Sequence, residues 1–248
     1  SLRKGYMTIS TNENTPQPGL SGARGAFADG LTFVRALMTP LIMLAIILAW
    51  RGPSDTAASD IPAQLSPVNL TLILLAAVLF AVAALTDIID DFIGGKANSK
   101  RRIFGWLDDI ADSVLIAGTL LALLWVTHKA GLLHWSFAVP AFVLIARDLV
   151  LALTKGYELS KSGFAESRLG DVKSGLAMFA ALLLVSAPWL TNIIDGFRAK
   201  SSEADLVQIY SSPSSLPWNA GLVCLWIAAI LALYTGYKIF TAKTDIPA

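Results

Sequence analysis

Residues 86–113, TDIIDDFIGGKANSKRRIFGWLDDIADS, gather six of the chain's eighteen acids: Asp87, Asp90, Asp91, Asp108, Asp109 and Asp112. Helical positions three and four apart share a face, so Asp87, Asp90 and Asp91 project together, and so do Asp108 and Asp112. The linker between the two sets, GGKANSKRR, holds two glycines and four cations. So short a turn makes the helices antiparallel neighbours and lets both acid sets meet at one depth. Carboxylates so placed repel one another, and each costs about 2.5–3.5 kcal/mol at the centre of a membrane. Lys96, Arg101 and Arg102 are near, but in the turn solvent is their easier destination. A divalent cation answers the charge better: the stretch has no Cys or His, and all-oxygen donors suit Mg²⁺, Mn²⁺ or Ca²⁺. Magnesium on carboxylates keeps positions for water and phosphate, which points to phosphoryl or diphosphate chemistry. A solvated acidic loop explains less. Acids at the start of a helix suit its dipole, whereas those at the end of the preceding helix oppose theirs.

The elements that carry these acids are oily. Hydrophobic residues make up 55% of the 248-residue chain and charged residues 15%, with a mean hydropathy of +0.62. That excludes an ordinary soluble surface and fits a polytopic membrane protein. A net charge of +1 carries no nucleic-acid signature. Six runs approach the ~20 residues that a bilayer core requires: about 31–50, 68–90, 104–127, 136–155, 172–193 and 218–240. The expected fold is an all-α membrane protein with six transmembrane helices over 30–243. Before it comes a polar tail, 1–29, whose end (GLSGARGAFADGLTF) suits a short interfacial helix; a short tail, 244–248, follows.

Seventeen of the nineteen Lys and Arg fall outside these runs or within three residues of their ends, thirteen on the side of the N-terminus and four on the other. By the positive-inside rule both termini and the acid clusters face the cytoplasm. The remaining two, Arg35 and Arg147, lie inside apolar runs, where an arginine without a task is unusual. For Arg147 the structural alternative is an ion pair with Asp148. Lys173 and Arg168, at the entry of the fifth helix, could complete an anion pocket with it, and Arg35 has similar standing. His128 and His134 flank the predicted outer turn and read as interfacial or structural. Cys224, the single cysteine, excludes an intramolecular disulfide and reads as a packing residue.

The acid pattern resembles that of the CDP-alcohol phosphotransferases: Asp, two residues, Asp-Gly, two residues, Ala-Arg, eight residues, Gly, three residues, Asp, three residues, Asp. Asp87, Asp90, Asp108 and Asp112 match its four acids without a gap. The likeness is greatest to the phosphatidylglycerophosphate synthase branch and extends over about 30–190. LTFVRALMTP, with Arg35 and Pro40, is similar to its opening helix, LDDIADSVLIAGTL to its third, and IARDLVLAL and RLGDVKSGLAM to its fourth helix and the entry to its fifth. Four positions depart: Asp91 stands for the Gly, Gly94 for the Ala, Gly95 (with Lys96 beside it) for the Arg, and Phe104 for the later Gly, which follows as Gly105.

The resemblance implies transfer of a phosphatidyl group from CDP-diacylglycerol to an alcohol, glycerol 3-phosphate being the first choice, with release of CMP. It implies two ions, Mg²⁺ or Mn²⁺, on Asp87, Asp90, Asp108 and, in part, Asp112, with Asp112 as general base. Asp91, Gly94, Lys96, Arg101 and Arg102 would lie against the cytidine diphosphate, and Arg147, Arg168 and Lys173 against the acceptor's phosphate. It further implies a homodimer in the cytoplasmic membrane. Two other readings fit the sequence less well. A membrane prenyltransferase also uses Asp-rich Mg²⁺ sites, but on a longer bundle with separated clusters. A divalent-cation transporter would want unpaired acids within its helices, and the acid well inside one, Asp148, has Arg147 beside it.

Overall fold

The structure, a computed structural model, describes residues 22–50, 68–92, 105–162, 168–198 and 216–241. At several helix ends, including 22–29, 87–88, 90–92, 105–109 and 154–162, only the backbone is described. The described residues form six helices: α1 (Gly22–Ala49), α2 (Leu70–Phe92), α3 (Gly105–Lys129), α4 (Trp135–Ser162), α5 (Arg168–Arg198) and α6 (Leu216–Thr241). Each covers one expected run. Residues 22–29, where the sequence suits a short interfacial helix leading into the membrane, are helical and continuous with α1.

Four helices carry an apolar stretch long enough to cross a bilayer: Gly30–Ala49, Ile110–Lys129, Val172–Ile194 and Leu216–Lys238. The apolar part of α2, Leu70–Thr86, is shorter, with a rise of about 26 Å against a ~30 Å hydrocarbon core. Its continuation is the acid-bearing end. The apolar run of α4 is interrupted by Arg147 and Asp148. Large apolar side chains face outward all round the bundle, among them Phe33, Leu37, Leu41, Leu44 and Leu48 on α1. Such a face has no stable place in water, and the chain is an integral membrane protein.

Local signals set the turns. Asn69 caps α2, its Oδ1 accepting from the Thr71 and Leu72 amides at 3.1 and 3.2 Å. The Asn69 amide donates to the Ala49 carbonyl at 2.9 Å, tying the start of α2 to the end of α1. α3 ends in a Schellman turn: Gly131 N–H reaches His128 O, Leu132 N–H reaches Thr127 O, and Gly131 takes the left-handed φ of 70° that the motif requires. His134 then accepts the Ser136 amide at Nδ1, a structural task at the head of α4.

α1 packs on α2 and α3, α5 on α6, and α4 on α6; α2 and α3 both also reach α5. α2 and α3, expected as direct neighbours, have no extended contact among the described residues. α1 joins them instead. Its buried face runs Thr32, Arg35, Thr39, Ile42, Ile46 and Ala49, a helical stripe that is polar at one end and apolar at the other. Close approach to α3 depends on Gly118, where a Cβ would lie 2.7 Å from Thr39 Cγ2. The remaining core is apolar, with Phe80, Leu115, Leu120, Leu184 and Leu225 fully buried.

Candidate active site

Two polar clusters interrupt this apolar interior, both toward the same end of the bundle. Antiparallel order brings the start of α1, the end of α2 and the start of α3 together, as it does the end of α4, the start of α5 and the end of α6. The first cluster is Arg35, Thr86 and Asp112. Arg35 is fully buried. Its Nη1 donates to Asp112 Oδ1 at 2.6 Å, and its Nε donates to Thr86 Oγ1 at 3.4 Å. The Thr86 hydroxyl in turn donates to the Ala83 carbonyl at 2.6 Å. A guanidinium is permanently charged, and its bond to a carboxylate offsets part of what the bilayer would otherwise penalise.

The second cluster is Arg147, Asp148, Lys173 and Thr235. Arg147 Nη1 lies 2.6 Å from Asp148 Oδ1, and Lys173 Nζ, almost fully buried, lies 3.7 Å from the same oxygen. Arg147 Nη2 donates to Thr235 Oγ1 at 3.3 Å. Gly236 packs beside it, where a Cβ would lie in ordinary van der Waals contact with Arg147 Cγ, at 3.5 Å. The Arg147 Nε is buried and has no acceptor among the described residues. Two cations on two helices therefore share one carboxylate oxygen, a third helix supplies a hydroxyl that accepts from Arg147, and an N–H donor is in hand. The ion pair with Asp148 is present, and it does not exhaust Arg147.

The structure thus brings Arg147 and Lys173 together and places Arg35 elsewhere, against Asp112. The backbone puts Asp87, Asp90 and Asp91 on the last turns of α2 and Asp108 at the start of α3; their side chains, and that of Arg168, lie outside the described residues. Gly94, Lys96, Arg101 and Arg102 lie outside them entirely. Among the described residues no three potential ligands cluster. The donor set that the backbone brings to these two helix ends is nonetheless all carboxylate, and that chemistry fits a hard divalent ion. Thr86 and Thr235 were not anticipated. Each is one more hydroxyl in an oily helix, and only its partner, 51 or 88 residues away, marks it out.

A family model for CDP-alcohol phosphatidyltransferases matches residues 26–234. The chain belongs to this family. It is similar to proteins named CDP-diacylglycerol--glycerol-3-phosphate 3-phosphatidyltransferase. That of Rickettsia bellii is 32% identical over 170 residues, covering 68% of this chain and 78% of the relative. That of Escherichia coli K12 is 31% identical over 215 residues, covering 86% and 91%. The Rickettsia felis protein is 29% identical over 213 residues, covering 86% and 92%. The chain is accordingly a phosphatidyltransferase of phospholipid synthesis, and the prenyltransferase and transporter readings lose their ground. Enzymes of this family use a divalent metal ion.

Proposed function

We propose that this phosphatidyltransferase takes CDP-diacylglycerol as donor and glycerol 3-phosphate as acceptor. The observation that carries the reading is the pairing of two sites at one end of the bundle. One is a carboxylate on α3, Asp112, held by a buried arginine; the other is a cationic pair, Arg147 and Lys173, with an unused buried N–H. The first suits an acceptor hydroxyl and the second suits an acceptor that brings its own phosphate. Among relatives, the name glycerol-3-phosphate phosphatidyltransferase recurs.

In this reading Asp87, Asp90, Asp108 and, in part, Asp112 would hold two ions, Mg²⁺ or Mn²⁺. When bound, they supply positive charge to the diphosphate oxygens as the leaving group departs. Arg147 and Lys173, with Arg168 at the head of α5, fix the acceptor phosphate and so orient its hydroxyl. Asp112 takes the hydroxyl proton; the freed oxygen forms a bond to the phosphatidyl phosphorus. The bond from that phosphorus to the CMP oxygen breaks, and CMP leaves with the electron pair. Gly94, Lys96, Arg101 and Arg102 line the cytidine diphosphate, and Asp91 is a further carboxylate at its edge. The active site and both termini face the cytoplasm, and the enzyme is a homodimer of the cytoplasmic membrane with all six helices spanning.

The test is an acceptor screen with radiolabelled CDP-diacylglycerol on the purified enzyme in nanodiscs, with identification of the lipid product. Phosphatidylglycerophosphate, formed only with glycerol 3-phosphate, is the expected result. Preferential use of inositol phosphate would overturn the choice of glycerol 3-phosphate, and preferential use of an acceptor without a phosphate would also overturn the assignment of Arg147 and Lys173.

A further inference from the structure

The proposed site draws acids from α2 and α3, yet these helices have no extended packing on each other among the described residues. At the acidic end the described link between them runs through α1. Arg35 donates to Asp112 on α3 and to Thr86 on α2, and Thr86 directly precedes Asp87. Thr86 is anchored in turn to its own helix through the Ala83 carbonyl. One planar side chain therefore touches a fixed point beside the first acid of α2 and the last acid of the pattern on α3. The donors of a guanidinium have fixed relative directions, which a lysine ammonium lacks. The α1 backbone is itself held against α3 where Thr39 and Met43 meet Gly118, so the reach of Arg35 starts from a fixed base.

We propose that Arg35 is a positioning residue that sets the separation and relative height of the two acid-bearing helix ends, and is not an acceptor-binding cation. The proposal rests on the reading of Asp112 as a site carboxylate. It gives α1, which brings no acid to the pattern, a defined part in assembling the site. Loss of the fork would let the ends of α2 and α3 drift, with metal affinity and turnover falling together while acceptor affinity holds.

The experiment uses the full chain in nanodiscs with Cys224→Ser. Nitroxide labels at Ile89→Cys and Ile110→Cys, both partly exposed on α2 and α3, report the separation by pulsed EPR, with labelled protein diluted in unlabelled. Mn²⁺ binding is read separately by its EPR signal. Arg35→Met should broaden the distance distribution, weaken Mn²⁺ binding about tenfold and lower kcat about 100-fold, with KM for glycerol 3-phosphate little changed. Arg35→Lys should restore part of kcat but leave the distribution broad. Thr86→Val, which removes one acceptor and no charge, should broaden it and lower kcat about three- to tenfold. If Arg35→Met does not fold, the last two variants decide.

Unchanged distances in the folded variants would overturn the proposal. So would a raised KM for glycerol 3-phosphate at constant kcat, which would make Arg35 an acceptor ligand. Asp112→Asn separates the two readings. Full turnover in that variant sinks the site assignment, whereas its inactivity beside unchanged Arg35→Met distances sinks the positioning role alone.

Discussion

Replacing Asp112 by Asn removes the charge that faces Arg35 while keeping nearly all of the side chain's volume. Arg35 is 0% exposed and Asp112 15%, and the bond between them is 2.6 Å long. Removing one partner of a buried pair costs about 3–5 kcal/mol, because the other charge stays behind in a medium that solvates it poorly. The partial exposure of Asp112 puts the expected loss at the lower end, about 3 kcal/mol, or roughly 150-fold in the unfolding equilibrium. Adding Arg35→Met removes the stranded charge, and about 2 kcal/mol should return. Turnover should not return with it, since the carboxylate assigned to the proton is still missing. The assay is a double-mutant cycle: unfolding free energies from SDS titration in bicelles, with CMP release measured on each variant. Additive losses, with no coupling between the two substitutions, would refute the claim that this pair is energetically engaged.

Other predictions address the remaining parts. Lys173→Met should raise KM for glycerol 3-phosphate at least about tenfold, the loss of one charged hydrogen bond, with kcat little altered; a fall in kcat alone would place Lys173 outside the acceptor pocket. Chelation by EDTA should stop CMP release and added Mg²⁺ or Mn²⁺ should restore it; release that persists in EDTA would contradict the carboxylate site. Gly118→Val should destabilise the bundle by about 1–3 kcal/mol through overpacking against Thr39 and Met43. Gly175→Ala, where a Cβ meets nothing within 4 Å, should not, and equal thermal stability of the two variants would refute the close approach of α1 and α3.

Hydropathy made the six helices legible, because each apolar run must be covered by lipid or protein along its whole length. The acid-bearing ends of α2 and α3 were legible for the same reason, as carboxylates against an oily background. The Arg147–Asp148 pair could be anticipated from adjacency. The company that Arg35 keeps could not. Its partners lie 51 and 77 residues away, and a short polar linker makes α2 and α3 look like direct neighbours when, among the described residues, α1 is what joins them. A faint signal did exist: Thr32, Arg35 and Thr39 recur at helical spacing within α1, too polar a stripe to face lipid. Helical period marks such a face as one that must be covered, but does not say against which helix.

The pairing of Arg35 with Asp112 also sets an order of events during synthesis. The arginine leaves the ribosome 77 residues before its counter-charge, about 4–15 s at ordinary elongation rates. Throughout that interval the first helix holds an orphan cation, with the tip of its side chain able to snorkel toward the headgroups. Its settled depth comes only when the third helix arrives. The nascent first helix is therefore expected to rest shallow, or beside the translocon, and to sink to its final level as the hairpin behind it inserts.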